Sequence, residues 1–156
     1  MFRPDFGYVQ GMSYLAGCLL LHLEAEFETF KAFANLMNKE ESLFNFYSFS
    51  MDKVNVVYHI FMRILKEKSP KLCKLLQDTG LSCSVFLFEW IVCLYSNVFP
   101  LDMASRIWDS IFLDGEYFVI KTGIAICIGL ERAAGSDSVE GVVIRVKNIK
   151  SFLEEE

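Results

Sequence analysis

The chain has 156 residues, of which 53% are apolar and 22% charged, and its net charge is -5. This length and composition predict one domain with a continuous core. The acidic balance argues against a nucleic-acid binder, whose surface must neutralise many phosphates. Phe alone occurs 15 times, so the apolar content lies largely in rings that suit a thick helical core.

The cysteines predict neither a disulfide framework nor a zinc site. They are odd in number, they form no CxxC pair, and each lies among apolar neighbours: Cys18, Cys73, Cys83, Cys93 and Cys127. We therefore expect buried, reduced thiols. The two histidines, His22 and His59, have no partners at ligand spacing, so no metal site is expected.

No stretch of the sequence predicts a membrane span or a signal peptide. The most apolar runs cover residues 12–23, 84–98 and 117–130, and none holds the roughly 18 to 20 uninterrupted apolar residues that a span requires. The chain opens with Arg3, Pro4 and Asp5, which lead into a turn rather than an apolar run ending at a cleavage site. We expect a cytoplasmic protein.

The first half of the chain predicts a series of amphipathic helices. After the loop FRPDFG, apolar residues repeat at spacings of three and four from Tyr8 to Leu23. The small residues Gly11, Ala16 and Gly17 in this helix suggest close approach of a neighbouring element. A second helix is predicted over residues 27–37, followed by a polar loop over residues 38–42.

An aromatic cluster over residues 44–47 precedes a helix that runs from about Val54 to Glu67. Pro70 suits the first position of the next helix, because its missing N–H is not needed there. Gly80 lies where a glycine commonly ends a helix.

The second half predicts three further helices. Residues 84–98 are apolar on most sides, which is typical of a central buried helix. Residues 101–112 and 116–133 follow Pro100 and are separated by the turn signal Asp114-Gly115. The whole pattern predicts an all-α array of roughly seven to eight helices with short connections.

Two segments carry a family resemblance. The first is GYVQGMSYLAG, residues 7–17, preceded by Arg3-Pro4-Asp5. The second begins FPLD at residue 99 and continues through RIWD at residues 106–109 to DGE at residues 114–116, with Glu89-Trp90 ahead of it. In this order and spacing they resemble the C-terminal two-thirds of a TBC domain, the GTPase-activating module for Rab-type small GTPases. The resemblance implies a TBC-like C-terminal subdomain.

The resemblance also implies site residues. TBC domains act in trans on a bound GTPase through an arginine and a glutamine, and Gln10 matches the glutamine. A side-chain amide can orient the attacking water, while a guanidinium offsets charge on the transferred phosphoryl group. Tyr8, Gly11, Arg3 and Asp5 are the implied GTPase-binding residues. No cofactor is implied for this chain, because GTP and Mg²⁺ belong to the partner.

The later motif residues are interpreted as structural. Trp108 is expected to pack in the core and Asp109 to cap or pair within the helix array. Arg106 is expected to form an ion pair on a helix surface. The full set of structural motif residues is Trp90, Pro100, Asp102, Arg106, Trp108, Asp109 and Gly115.

The family's arginine motif, I-x-x-D-x-x-R, should lie some tens of residues before Tyr8, and none of the five arginines here matches it. Because such an arginine contributes roughly 10³ to 10⁵ in rate, we expect residues 1–156 alone to be a weak or inactive activator. The helices that carry the motif would also cover apolar faces, so an exposed apolar patch is expected. Residues 1–134 are assigned to the partial TBC domain and residues 135–156 to a divergent or disordered tail.

Two functions from different classes remain open. The first is a Rab-directed activator, with recruitment to endomembranes occurring through the Rab partner. The second is a non-catalytic scaffold in membrane trafficking that binds a Rab or another partner. A helical-repeat scaffold requires self-similar periods of roughly 30 to 45 residues, and the sequence shows none.

Overall fold

The computed structural model describes residues 7–39, 41–134 and 149. These residues form eight helices and no strand, which confirms the predicted all-α array. The helices are α1 (Met12–Leu23), α2 (Glu26–Lys39), α3 (Glu41–Tyr47), α4 (Met51–Lys68), α5 (Pro70–Asp78), α6 (Ser84–Val92), α7 (Leu101–Asp114) and α8 (Tyr117–Ala134).

Three helix boundaries follow the sequence signals closely. Pro70 is the first residue of α5, directly after Ser69. Gly80, just beyond α5, has a φ of 65°, which glycine adopts without steric cost. Gly115 ends α7 with a φ of 85°, and its N–H donates to the Ile111 carbonyl at 2.8 Å. The breaks predicted at Pro70, Gly80 and Asp114-Gly115 are therefore confirmed.

Other boundaries differ from the predictions. α1 begins at Met12 rather than Tyr8, because Gly11 at its N-terminus has a φ of 111°. α6 ends at Val92 rather than residue 98, because Leu94 and Tyr95 take φ values of 44° and 65°. The loop predicted over residues 38–42 was also wrong, since α2 extends to Lys39 and α3 begins at Glu41.

Much of α6 is buried, as its apolar sequence predicts. It packs against α3 and α8, while α4 packs against α3, α5 and α8. Phe86, Leu87, Trp90 and Ile91 are all buried. The rings of Phe86 and Trp90 lie 4.8 Å apart between centroids, within the range of favourable aromatic contacts. This helix therefore supplies the core against which the other elements are placed.

One close approach in the core depends on the absence of a side chain. A Cβ added at Gly123 in α8 would lie 2.9 Å from the Tyr95 hydroxyl and 3.0 Å from Phe61 Cε2. The same hydroxyl donates a hydrogen bond of 2.6 Å to the Val119 carbonyl. The sequence did not predict this contact at Gly123. It predicted close approach at Gly17 instead, where nothing lies within 4 Å of an added Cβ.

Apolar side chains are exposed where α1 meets α2, in keeping with the expected patch. Leu21 is 67% exposed and Phe27 is 69% exposed. Leu20, Leu23 and Phe30 in the same region are also exposed. None of the helices in the described part of the chain is long and apolar enough to cross a membrane.

No group of three or more His, Cys, Asp or Glu side chains in the described residues could hold a metal ion. His22 instead joins α1 to α7. Its Nδ1 lies 2.7 Å from the Cys18 carbonyl oxygen, and its Nε2 lies 2.9 Å from the Ser105 hydroxyl.

The predicted tail falls mostly outside the described residues. Residues 135–148 and 150–156 are not described, and Ile149 is buried within the apolar core. The assignment of residues 135–156 to a separate tail stays a prediction.

All five cysteines are free and buried, as predicted. Burial raises the pKa of Cys83 to about 11. Burial also raises the pKa of Cys93 to about 12, with a further contribution from Glu89, and that of Cys127 to about 12, with a further contribution from Cys83. These thiols are protonated and poorly reactive in the folded chain at neutral pH.

The raised thiol pKa values predict a loss of stability at alkaline pH. Unfolded cysteine has a pKa of about 8.5, so between roughly pH 9 and 11 the unfolded chain releases protons that the folded chain keeps. The free energy of unfolding should therefore fall with pH in this window, by up to about 1.4 kcal/mol per thiol for each pH unit. Urea unfolding at pH 7, 9 and 10.5 measures it.

Cys127→Ala provides the control, because it removes the thiol that has no exposed surface. Its free energy of unfolding should be lower at pH 7 but should depend less steeply on pH than that of the native chain. A native chain as stable at pH 10.5 as at pH 7 would show that the thiols are not held protonated by the fold.

Candidate functional site

The residues from Tyr8 to Gly11, which we call the Gln10 turn, lead directly into α1. The Met12 N–H donates to the Val9 carbonyl at 3.2 Å, which closes the turn. The Gly11 carbonyl then accepts the first hydrogen bonds of α1, from Tyr14 at 3.1 Å and Leu15 at 3.4 Å. Gln10 is exposed in the middle of this turn. The helix therefore presents the Gln10 side chain outward from a turn with defined hydrogen bonds.

Gly11 fixes the Gln10 turn against the end of α6. Its φ of 111° lies in a region that residues with a Cβ rarely adopt. A Cβ at this position would lie 3.0 Å from Val92 Cγ2 and 3.2 Å from Cys93 Sγ. Glycine is therefore required at position 11 for two reasons: its backbone conformation and the space that it leaves for Val92. This confirms the close approach that the sequence predicts at Gly11.

Tyr47 holds the other side of the same contact. Its hydroxyl, buried at the end of α3, donates a hydrogen bond to the Val92 carbonyl. Burial raises the pKa of Tyr47 well above its usual value, and the nearby Cys93 and Tyr8 raise it further. The phenol therefore stays protonated and serves as a donor. α3 thus fixes the C-terminus of α6 beneath the Gln10 turn.

The segment after α6 is held by Trp108 and Tyr95. The Trp108 indole N–H donates to the Leu94 carbonyl at 2.8 Å, and the Tyr95 hydroxyl donates to the Val119 carbonyl at 2.6 Å. Leu94 and Tyr95 are the two residues with positive φ that end the helix. A positive φ is unfavourable for a residue with a Cβ, so these hydrogen bonds must stabilise it. α7 and α8 therefore determine where α6 stops.

A pocket of about 230 Å³ lies between the Gln10 turn and α6. It is lined by Gln10, Gly11, Tyr14, Phe88, Glu89, Val92 and Cys93. Glu89 is the only charged residue among these, and its Oε1 accepts a hydrogen bond of 2.8 Å from Asn97 Nδ2. The site thus combines an exposed amide, two aromatic rings and one oriented carboxylate.

The structure brings together only part of the predicted GTPase-binding set. Tyr8, Gln10 and Gly11 are adjacent in the Gln10 turn, and Tyr8 is 73% exposed with its hydroxyl 3.3 Å from Ser13 Oγ. Arg3 and Asp5 lie outside the described residues. The catalytic and binding roles assigned to all five residues stay predictions.

The predicted structural residues divide into two groups. Trp90 and Trp108 are buried, which confirms the packing role predicted for Trp108. Pro100 precedes the first residue of α7, and Asp102 lies in its first turn, where a negative charge is favourable. Gly115 ends the same helix.

The polar residues of the RIWD segment behave differently from the sequence interpretation. Arg106 and Asp109 are both exposed on α7, and neither forms an ion pair or a side-chain hydrogen bond with any described residue. Asp109 lies in the interior of α7, away from the helix N-terminus where an aspartate caps. The exposed face of α7 leaves both side chains to solvent, so the predicted ion pair and cap are wrong for the described part of the chain.

Sequence reasoning missed the pocket wall. The sequence analysis did not single out Tyr14 or Phe88, and Tyr47 was seen only as part of an aromatic cluster. Glu89 could have been noticed from the sequence, because it is the only charged side chain in the apolar run of residues 84–98. In the structure Glu89 is exposed, so the run is not buried on the side of the helix that carries it.

The sequence around this site matches a known protein family. The family model of the Rab-GTPase-TBC domain matches residues 1–132. The chain belongs to the TBC family. The matched range contains the Gln10 turn and the RIWD segment of α7.

Individual relatives agree with the family match. TBC1 domain family member 12 from Mus musculus is 41% identical over 125 residues, covering 80% of this chain and 18% of the relative. TBC1 domain family member 14 from Homo sapiens is 38% identical with the same coverage of both chains. Drainin from Dictyostelium discoideum is 35% identical over 127 residues, covering 80% of this chain and 28% of its own. The chain thus spans less than a third of the length of these TBC relatives.

Proposed function

We propose that this chain is a GTPase-activating module for a Rab-type small GTPase and that Gln10 acts in trans on the bound GTP. The observation that carries the proposal is the exposure of Gln10 on a turn fixed by Gly11 against α6. An amide side chain can accept a hydrogen bond from the attacking water and donate one to a phosphate oxygen. GTP and Mg²⁺ are supplied by the partner, and the chain regulates an enzyme without turning over a substrate of its own.

The positioning of Gln10 matters because catalysis of phosphoryl transfer depends largely on how the reacting groups are positioned. A water molecule held in line with the γ-phosphate reacts faster, since the entropy of alignment is already lost on binding. A mobile glutamine would have to lose conformational entropy each time it acted on a bound GTPase. The Gln10 turn reduces that cost through the Gly11–Val92 contact and the Tyr47 hydrogen bond beneath it.

A second function, GTPase binding without catalysis, is favoured by the charge of the pocket. None of the described residues that line it is basic, and Glu89 adds a negative charge where the reaction uses a positively charged guanidinium. In this second function the chain holds a Rab protein and leaves hydrolysis unchanged. In both cases contact with a lipid-anchored Rab would bring the chain to endomembranes from the cytoplasm.

Phosphate release from a panel of GTP-loaded Rab proteins tests the proposal. Gln10→Ala should reduce the stimulated rate by about 10²-fold, a typical loss for a single group that acts on the transition state. The dissociation constant for the GTPase should change little. Gln77→Ala is the matched control, because Gln77 is an exposed glutamine on α5 outside the pocket.

The outcomes separate the two functions. Stimulation that is lost with Gln10→Ala and kept with Gln77→Ala supports the glutamine mechanism. Equal stimulation by the native chain and Gln10→Ala contradicts it. Binding of a Rab without any stimulation by the native chain supports the scaffold function instead.

A further inference from the structure

The pocket beside Gln10 has the chemistry of a site for an organic cation. Tyr14 comes from α1 and Phe88 from α6, so aromatic rings contribute to the pocket from both helices. Among the described residues that line the pocket, Glu89 supplies the negative charge. Aromatic faces attract cations through their quadrupole, and a carboxylate adds a charge-assisted hydrogen bond.

The Glu89 carboxylate is oriented by its surroundings. Its Oε1 accepts the Asn97 amide at 2.8 Å, while Oε2 has no hydrogen-bond partner among the described residues. Asn97 lies in the segment after α6, whose backbone is held by Trp108 and Tyr95. One carboxylate oxygen is therefore used to fix the side chain, and the other is available to a ligand.

The aromatic wall is fixed as well. The Phe88 ring lies 5.6 Å from Phe46 and 6.0 Å from Phe49 between centroids, the latter nearly parallel at 19°. A stacked position of this kind leaves the ring little freedom to turn. Tyr14, by contrast, is half exposed at the pocket mouth. A planar group that enters the pocket would therefore meet a Phe88 ring that is already held in place.

These features favour a guanidinium over an ammonium group. Guanidinium is planar, stacks on aromatic faces and is weakly hydrated, whereas ammonium is a compact and strongly hydrated charge. The pocket thus offers arginine both aromatic stacking and a carboxylate acceptor.

We propose that the Glu89 pocket binds an arginine side chain of the partner GTPase and so helps to select that partner. This inference rests on the proposed function, since Gln10 can enter a GTPase nucleotide site only when the pocket mouth faces the same protein. The net charge of -5 agrees with a partner that presents a basic surface. Glu89 is then a binding residue, distinct from the rate-determining role of Gln10.

Glu89→Gln tests the charge while keeping the shape, because the glutamine oxygen can still accept the Asn97 hydrogen bond. With a GTPase that the native chain stimulates, the variant should raise KM about tenfold and leave kcat unchanged. It should also weaken the salt dependence of binding. Asp78→Asn, at the exposed end of α5, is the matched control and should change neither value.

A second measurement needs no GTPase. Arginine methyl ester is titrated into the ¹⁵N-labelled chain, with lysine methyl ester as the comparison. The arginine compound should shift the side-chain amide of Gln10 and the backbone amides of Tyr14 and Glu89 at millimolar concentration, and more strongly than the lysine compound. Glu89→Gln should remove these shifts while the rest of its spectrum stays that of a folded chain.

The titration and the GTPase assay test different parts of the proposal. No localised shift with arginine methyl ester overturns the cation site, whatever the GTPase assay shows. Shifts at the pocket together with an unchanged KM for Glu89→Gln overturn the assignment to a GTPase arginine. A raised KM for Glu89→Gln, combined with unaltered stimulation by Gln10→Ala, supports the pocket and contradicts the glutamine mechanism.

Discussion

Replacing Trp108 by alanine is expected to lower the free energy of unfolding by about 3 to 5 kcal/mol, the usual range for removing a buried large aromatic side chain. Trp108 is 5% exposed and packs edge-on against Phe112 at 6.0 Å. Its indole N–H also donates to the Leu94 carbonyl, at a residue with positive φ. Urea unfolding followed by circular dichroism measures the loss.

Trp108→Phe separates the two contributions. Phenylalanine keeps most of the packing but leaves the Leu94 carbonyl without its donor, so a smaller loss of about 1 to 3 kcal/mol is expected. Asp109→Ala on the exposed face of the same helix should stay within about 0.5 kcal/mol of the native chain. If Trp108→Phe were as stable as the native chain, the hydrogen bond to Leu94 would not be needed to hold the end of α6.

Replacing Gly11 by alanine is expected to destabilise the fold by about 2 to 4 kcal/mol. One part is the backbone, since a residue with a Cβ at a φ of 111° is strained by about 1 to 3 kcal/mol. The other part is the added methyl group, which would lie 3.0 Å from Val92 Cγ2 and must push the turn or α6 aside. The Gln10 turn should move with it, so the GTPase stimulation proposed for Gln10 should fall even in the fraction that remains folded.

Gly17→Ala is the matched control for this change, because Gly17 lies inside α1 with nothing within 4 Å of an added Cβ. Alanine there should stabilise the chain by about 0.5 to 1 kcal/mol, as expected for a helix interior. Val92→Ala combined with Gly11→Ala should recover part of the overpacking cost but none of the backbone strain. A destabilisation of Gly11→Ala below that of a surface substitution would show that the turn adapts freely.

The sequence predicts well what depends on neighbours along the chain. Pro70 at the start of α5 and Gly80 and Gly115 beyond helix ends act through their own φ angles or missing N–H groups, and all three occur as predicted. The buried character of α6 follows from its apolar composition in the same way. Gln10 was singled out only through the family resemblance, and its exposure is a finding of the structure.

What the sequence does not predict depends on distant partners. α6 continues its apolar pattern to residue 98, yet ends at Val92 because Trp108 and Tyr95 bond the segment that follows. The exposure of Arg106 and Asp109 likewise depends on which face of α7 meets the core. Glu89 was visible as an isolated charge, but its position beside Gln10 requires α1 and α6 to be in contact, which periodicity alone cannot establish.

The contact between Gly11 and Val92 also bears on the order in which the molecule folds. The two residues are about eighty positions apart, so joining them closes a long loop and costs entropy that only the surrounding core can offset. Contacts of that kind slow folding and tend to be made after local helices have formed. The Gln10 turn would then become organised late, and amide hydrogen exchange in residues 8–12 would report directly on openings of the distant α6 terminus.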